Sequence, residues 1–209
     1  MMNRRKTAAI IITLCLLSIG IPGWAWLFDG GSYVGNGPSL NDGTTLYWAA
    51  APFVLDSDSY ANNFGTALSR SVQDTSFTVY LTPSLVDIST SALAQWTIFP
   101  TGPVMQYYYV QPENPILLTG GTPYFLVVMP SDADSYGGIS YSYSGYYGFL
   151  SGDQGETWYK QALPFSLRVD GTLVPEPGGL SILVIGVIVI LLRLGSAGGT
   201  PSRLTTHNS

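Results

Sequence analysis

Hydrophobic and polar residues alternate with a period of two in several stretches between residues 26 and 174. In the clearest stretch, Thr75–Leu81, the side chains of Phe77, Val79 and Leu81 share one face, while hydroxyl-bearing residues share the other. Such alternation is typical of a β-strand with one face in the core, and no window shows the 3.6-residue period of an amphipathic helix. The same reasoning predicts further strands over Thr44–Ala50, Pro52–Leu55, Leu93–Phe99, Val104–Val110, Ile139–Tyr143, Glu156–Gln161 and Phe165–Val169.

The run Tyr124–Met129 is apolar on both of its faces, which is typical of a strand in the middle of a sheet with both sides covered. Turns rich in glycine and proline, such as Gly102-Pro103 and Gly120-Gly121, separate the strands. Many short strands at regular spacing predict an all-β fold, a two-sheet antiparallel sandwich that is jelly-roll-like rather than immunoglobulin-like. The residues that we expect to face its core are Phe77, Val79, Phe165, Leu167 and Val169.

Residues 1–25 have the layout of a secretory signal peptide. Three basic residues, Arg4–Lys6, precede a fourteen-residue apolar stretch, Ala8–Ile21, which would form the signal-peptide helix. Small residues follow at the positions that signal peptidase requires, so cleavage is expected before Trp26. The single cysteine, Cys15, lies inside this segment, and the exported part therefore has no thiol for a disulfide or a thiolate metal site.

The other end of the chain carries a second long apolar segment. Pro175-Glu176-Pro177 is followed by an uncharged apolar run, Leu180–Leu192, and then by Arg193. The run is apolar all round, as a transmembrane helix is, but from Gly178 it gives only about 22 Å of helix for a hydrocarbon core of about 30 Å. We therefore divide the chain into a signal peptide (1–25), a β-sandwich ectodomain (26–174), a C-terminal segment with a transmembrane helix (175–193) and a polar, disordered tail (194–209).

This C-terminal segment resembles the PEP-CTERM sorting signal of Gram-negative bacteria. The matching features are Pro175, Glu176 and Pro177, the apolar helix and the basic residue Arg193. The resemblance implies an exported substrate of exosortase, which is first held in the inner membrane with its domain in the periplasm and then passed to the cell surface or extracellular matrix. The chain departs from the family in having one arginine, rather than a cluster, after the helix, with sixteen further residues beyond it.

Charge is scarce in this chain and mostly negative. Charged residues make up 10% of it, and residues 26–174 hold twelve acids against three bases, a formal charge of −9. Because no basic patch is present to neutralise phosphates, nucleic acid is not expected as a partner. The only histidine, His207, lies beyond the apolar segment, so the domain cannot assemble a Ser-His-Asp triad or a histidine zinc site. We expect a protein without enzymatic activity and without a cofactor.

The acidic residues leave two other kinds of site open. A glycoside hydrolase needs only two carboxylates, but the acids here are scattered in turns without a local signature. Structural calcium is the other option, because oxygen ligands at alternate positions suit Ca²⁺, although aspartate is equally common in ordinary turns. The three acidic clusters are Asp56-Ser57-Asp58, Asp132-Ala133-Asp134 and Asp153-Gln154-Gly155-Glu156.

Tyrosines are concentrated in two places. Tyr107, Tyr108 and Tyr109 form one group, and another lies among glycines and serines between residues 136 and 147. Exposed aromatic rings are rigid, amphipathic platforms for sugar rings, which would suit a protein surrounded by exopolysaccharide. Tyrosine also fits half-buried strand surfaces without any ligand. The candidate glycan contacts are Tyr141, Tyr143, Tyr146, Tyr147 and Trp158.

A second resemblance covers residues 75–174. The stretch Thr119–Val128 looks like a strand of the choice-of-anchor domains, and the turn at Trp158 and the stretch Pro164–Val169 also fit. The resemblance implies an extracellular β-sandwich with no established catalytic site. Three functions stay open: a non-enzymatic surface or matrix protein, a carbohydrate-binding module that uses exposed tyrosines, and a glycoside hydrolase.

Overall fold

A computed structural model of the chain describes residues 25–174 and Gly186. The predicted signal-peptide helix, the sorting signal at 175–193 with its transmembrane helix and the tail at 194–209 otherwise lie outside the described residues. In the part of the chain that the structure describes, no helix is long and apolar enough to cross a membrane. The expectations about both ends of the chain stay predictions.

Residues 25–174 form thirteen β-strands and one short helix. Seven strands make one antiparallel sheet and six make another, so the predicted all-β fold with two antiparallel sheets is confirmed. In chain order the elements are β1 (Ala25–Asp29), β2 (Tyr33–Ser39), β3 (Trp48–Val54), β4 (Ser59–Arg70), β5 (Phe77–Thr82), α1 (Ile88–Ser91), β6 (Ala94–Ile98), β7 (Gln106–Val110), β8 (Ile116–Leu118), β9 (Pro123–Pro130), β10 (Gly137–Ser142), β11 (Phe149–Ser151), β12 (Tyr159–Lys160) and β13 (Arg168–Leu173).

The seven-stranded sheet is built around β4. The twelve residues of β4 pair with β13 and β10 along one edge, and with β8 and β7 along the other. β1 pairs with the far side of β13, and β2 with the far side of β10. The six-stranded sheet has the order β12-β11-β3-β9-β5-β6. The apolar run Tyr124–Met129 belongs to β9, which is an inner strand of this sheet, as its sequence predicts.

The two sheets enclose one hydrophobic core. Aromatic contacts cross between them: the ring centroids of Phe64 on β4 and Trp96 on β6 are 5.6 Å apart, and those of Phe28 on β1 and Phe53 on β3 are 5.8 Å apart. Burial of this apolar surface is the main favourable term in the stability of such a domain. The residues predicted to face the core, Phe77, Val79, Phe165, Leu167 and Val169, are all at most 2% exposed.

The pattern does not predict β4, although it is the longest of the thirteen strands. Asn62, Asn63 and Gly65 interrupt its apolar residues, and asparagine and glycine are depleted in strands. Pairing on both edges overrides this local preference. Asn62 is accommodated as the extra residue of a β-bulge opposite β13.

Other strands also differ from their predicted limits. The predicted strand Glu156–Gln161 is only Tyr159–Lys160. The predicted strands Thr44–Ala50 and Pro52–Leu55 are one strand, β3, which begins only at Trp48. The last strand begins at Arg168 rather than at Phe165. These differences concern mainly the ends of strands, where pairing with a distant partner decides how far the strand extends.

The polar face of β10 is buried, contrary to what its alternation indicates. Ser140 and Ser142 are as fully buried as Ile139. Their hydroxyl groups donate to carbonyl groups of the β1–β2 region, that of Ser140 to Gly35 at 2.6 Å and that of Ser142 to Gly30. Hydrogen bonding to the backbone satisfies these buried hydroxyls.

Candidate functional site

The outer side of the six-stranded sheet carries a second, smaller hydrophobic cluster. Alternation turns Ala49 and Val128 towards the core, and Ala50 and Val127 towards this outer side. Ala50 and Val127 are nevertheless fully buried, which explains why β9 is apolar on both faces. The partly buried side chains packed against them are Trp48, Tyr80, Leu85, Phe125, Phe149 and Trp158.

A cleft of about 610 Å³ opens in this cluster. Trp48, Tyr80, Met129 and Trp158 give it aromatic and apolar walls. A small-molecule site typically has this size and consists of apolar walls with a few polar groups that orient the ligand. The polar side chains that line the cleft are Asp87, Ser89, Gln154 and Glu156.

One wall of the cleft is the turn between β11 and β12, which hydrogen bonds to Asp153 hold in place. The Asp153 carboxylate accepts from the Thr157 hydroxyl, from the Thr157 amide at 2.9 Å and from the Ser151 hydroxyl at 2.7 Å. These donors lower the pKa of Asp153 from 3.8 to about 2, because they favour the ionised form. The turn is therefore supported by an ionised carboxylate throughout the neutral pH range.

Trp158 follows this turn and comes just before β12. Its indole Nε1 donates to the carbonyl oxygens of Gly155, at 3.1 Å, and Leu85, at 3.3 Å. The ring is thus tied to both walls of the cleft. Gly155 has a φ of +91°, and a Cβ atom at this position would come within 2.8 Å of the Trp48 ring. Both the backbone conformation and the close approach of the ring require glycine here.

The opposite wall is the segment 82–91, which includes α1. Ile88 is its buried apolar contact with the sheet. The Thr82 hydroxyl lies 2.8 Å from the Ser91 hydroxyl, which ties the two ends of the segment together. Asp87 precedes α1 in a left-handed conformation, with a φ of 50°. Each wall therefore contributes one carboxylate to the cleft, Asp87 from this side and Glu156 from the other.

The chemistry of the cleft follows from this lining. None of the described residues that line it is basic, so a phosphate or another polyanion would meet only negative charge. Carboxylate and amide oxygens accept hydrogen bonds from hydroxyl groups, and indole rings offer rigid apolar faces. The arrangement suits an uncharged ligand that carries hydroxyl groups.

Two of the five predicted glycan contacts have rings that pack against core aromatic residues. The Tyr141 ring is stacked on Phe165, with centroids 5.5 Å apart and an interplanar angle of 8°. The Tyr146 ring lies 6.4 Å from that of Phe28 at 12°. One face of each tyrosine ring is therefore used within the protein.

The other three predicted contacts lie in different surroundings. Tyr143 is 81% exposed, while Tyr147 is 51% exposed and has the Lys160 ammonium group 4.0 Å from its ring centroid. Of the five, Trp158 lines the cleft. No close ring pair within residues 25–174 joins two of the five, so they do not form a single stacked platform.

A second aromatic group, around Arg168, lies on the outer side of the seven-stranded sheet. The guanidinium carbon is 4.3 Å from the ring centroid of Tyr107 and 5.0 Å from that of Trp26. Arg168 also donates from Nε to Asp29 at 3.1 Å and from Nη1 to the Tyr109 hydroxyl at 3.4 Å. The hydrogen bond with Tyr109 contributes most to raising the pKa of Arg168. Two rings, a carboxylate and a phenol thus hold the cation.

Strand register explains why these side chains meet. Arg168 and Tyr109 both pair with Gly65 of β4, from its opposite edges, and Asp29 pairs with Arg168. A Cβ atom at Gly65 would lie 2.5 Å from the Tyr109 ring, so this ring lies over the glycine. The period-two spacing of Tyr107 and Tyr109 is visible in the sequence, but it does not reveal the partners that come from other strands.

The three acidic clusters are turns in which carboxylates accept hydrogen bonds from nearby groups. Asp58 accepts from the Gly120 amide at 2.9 Å, and Asp132 accepts from the Ser135 hydroxyl at 2.7 Å. Asp153 has the donors described above. Within residues 25–174, no three histidine, cysteine or acidic side chains are grouped as a metal ion would require. These contacts are those of aspartates that stabilise turns.

Comparison with known proteins finds no family model that matches this chain and no curated protein that resembles it significantly. The PEP-CTERM and choice-of-anchor resemblances therefore stay expectations. Among the described residues, those of the cleft combine aromatic walls with polar side chains around an open volume.

Proposed function

We propose that the protein is an exported, non-enzymatic cell-surface or matrix protein whose β-sandwich binds polysaccharide in the cleft between Trp48 and Trp158. The observation that carries this proposal is the lining of the cleft, in which two tryptophans and Tyr80 stand beside carboxylate, hydroxyl and amide groups. Sugars need both kinds of contact, because their C–H faces pack on aromatic rings while their hydroxyl groups form hydrogen bonds.

The charge of the domain supports the same class of ligand. Residues 26–174 have a formal charge of −9, and the described residues that line the cleft include two acids and no base. Polyanions such as nucleic acids or uronate-rich polysaccharides would be repelled. A neutral exopolysaccharide is the partner that fits best.

The C-terminal sequence supports the cellular part of the proposal. Pro175, Glu176 and Pro177, the apolar run and Arg193 occur in the order of a PEP-CTERM signal. We propose that exosortase processes the chain after the signal peptide has directed its export. The domain is held in the periplasm by the transmembrane helix until processing and then reaches the surface or matrix. A jelly-roll-like sandwich related to the choice-of-anchor domains belongs to the same proposal.

Affinity electrophoresis of the purified full-length protein in gels that contain different neutral and acidic polysaccharides tests the binding proposal. We expect retardation by at least one neutral polymer, and loss of that retardation in Trp158→Ala. Trp26→Ala removes a half-exposed tryptophan from the other sheet and is the matched control, which should be retarded like the wild type. Retardation by none of the polymers, or equal losses in both variants, would contradict the proposal.

Replacement of Pro175, Glu176 and Pro177 by alanine tests the processing proposal. Export should continue, because the signal peptide is unchanged, but the mass shift from precursor to mature form should disappear on an immunoblot of fractionated cells. Pro201→Ala, in the tail, is the control and should be processed normally. A triple variant that is trimmed and located like the wild type would show that the segment is not a sorting signal.

One observation favours a second candidate function, that of a glycoside hydrolase. Asp87 and Glu156 lie on opposite walls of the same cleft, and two carboxylates that flank a sugar are the usual catalytic groups of such enzymes. Incubation with the polymer that the wild type binds distinguishes the two functions. Release of reducing ends that is abolished by both Asp87→Asn and Glu156→Gln would establish hydrolysis, whereas binding without release supports the non-enzymatic function.

A further inference from the structure

The cluster that lines the cleft extends beyond it across the sheet. Lys160 of β12 pairs with Phe149, Phe149 with Ala50, Ala50 with Val127, and Val127 with Tyr80. Directly paired residues point to the same side of a sheet, so these five residues form one row over five neighbouring strands. At about 4.8 Å between strands, the row is roughly 19 Å long, which is enough for several linked sugar rings.

Aromatic side chains form the surface along this row between the cleft and the edge of the sheet. Phe125 and Phe149 are both half-buried and meet edge to face, with centroids 6.4 Å apart. At the sheet edge, Tyr147 is half-exposed and lies under the Lys160 ammonium group. Trp158 lines the cleft at the end of the β11–β12 pair that is opposite to Tyr147.

We infer that the cleft is one end of an extended binding track, formed by Trp158, Trp48, Phe125, Phe149 and Tyr147, and that the ligand is a polysaccharide segment of several units rather than a single sugar. The inference rests on the proposed function and adds the size of the ligand to it. The rings supply stacking surfaces along the track. Hydrogen-bonding groups lie at both ends, with acceptors in the cleft and the Lys160 ammonium group as a donor at the edge.

Isothermal titration calorimetry of the full-length protein with two oligosaccharides tests the track. The probes are a trimer and a hexamer prepared by partial hydrolysis of the neutral polymer that retards the wild type. We expect the hexamer to bind at least about tenfold more tightly than the trimer. Tyr147→Ala should weaken hexamer binding by about threefold to tenfold and leave trimer binding unchanged, because only the longer chain reaches the edge.

Two further variants keep the outcomes distinct. Tyr143→Ala changes the most exposed tyrosine of the same loop and should bind both probes like the wild type, while Trp158→Ala should lose both. Equal affinities of trimer and hexamer, or an unchanged hexamer affinity in Tyr147→Ala, would overturn the track but leave the cleft as the binding site. If the wild type is retarded by no polymer, the proposed function fails and the track fails with it.

Discussion

Both outer faces of the sandwich carry aromatic rings, but the rings of the two faces have different partners. On the seven-stranded sheet, the rings of Trp26 and Tyr107 lie against the Arg168 guanidinium group, which also bonds Asp29. On the six-stranded sheet, Trp48 and Trp158 line an open cleft with no base among the described lining residues. On the first face, two rings, a carboxylate and a phenol hold a cation. The cleft of the second face offers aromatic rings and hydrogen-bond acceptors to a ligand.

This difference shows that aromatic content alone does not identify a binding face. The rings of Trp26 and Tyr107 lie against a cation that other groups of the protein also hold, and these contacts contribute to stability. The rings of Trp48 and Trp158 line an open cleft, where a ligand can pack against them. Mutations on the first face are therefore expected to lower the free energy of unfolding. Mutations on the second face should mainly weaken ligand binding.

The largest effect is expected in the core that both faces share. Val79 is fully buried, so Val79→Asp would place a carboxylate without a partner in apolar surroundings, at a cost of several kcal/mol. Thr78→Asp, one residue away on the outer side of β5, is the matched control and should leave the fold intact. Urea unfolding followed by circular dichroism measures both. A Val79→Asp protein within about 1 kcal/mol of the wild type would contradict a common core.

Gly155→Ala should damage the cleft locally. The left-handed backbone disfavours alanine by roughly 1–2 kcal/mol, and the added Cβ atom would displace the Trp48 ring. Gly152→Ala changes a glycine of the same turn whose nearest neighbour would be Tyr47 at 3.3 Å, and it should have the smaller effect. Thermal unfolding and polysaccharide retardation together provide the measurement. Equal behaviour of the two variants would argue against close packing of Gly155 on Trp48.

Arg168→Met should destabilise the seven-stranded face by about 1–2 kcal/mol, because two cation–π contacts and a partly exposed ion pair are lost. Lys160→Met, on the other face, removes one exposed cation over one ring and should change the free energy of unfolding by less than about 0.5 kcal/mol. Denaturant unfolding of both variants compares the faces directly. A larger effect at Lys160 than at Arg168 would reverse the comparison.

The smallest effect is expected from acid on the turn that supports Trp158. The folded-state pKa of Asp153, about 2, lies below its ordinary value of 3.8. Its contribution to stability is therefore complete above pH 3.8 and is lost as the pH falls towards about 2. The indole N–H signal of Trp158, followed by NMR, should shift within this window, and Asp153→Asn should remove that dependence. A signal that titrates identically in both proteins would assign the change to another group.

The core strands could be predicted from the sequence because their signal is local. Phe77, Val79 and Leu81 alternate with polar residues within one strand, and each of the three is fully buried. Tyr124–Met129 is apolar on both faces because one hydrophobic cluster covers each side of β9. Side-chain direction in a strand alternates whatever its partners are, so these features could be predicted without knowledge of the pairing.

The candidate site could be predicted only in part. The sequence points to Trp158 as a glycan contact, and this residue lines the cleft. Nothing near it in the sequence indicates Trp48, which comes from β3 more than a hundred residues earlier. The sequence also points to Tyr141, one face of whose ring is stacked on Phe165. Which face of a ring is covered depends on residues from other strands, and periodicity carries no information about them.

Alternation along the chain fixes which side chains point inwards, because that property belongs to each strand alone. Strand pairing, in contrast, fixes β4 as the centre of one sheet despite its asparagines and glycine. The same pairing brings Arg168 into line with Asp29 and Tyr109. The distinction between the two aromatic faces arises from contacts between distant segments. Asp29 and Tyr109 are far from Arg168 in the chain, and Trp48 is far from Trp158.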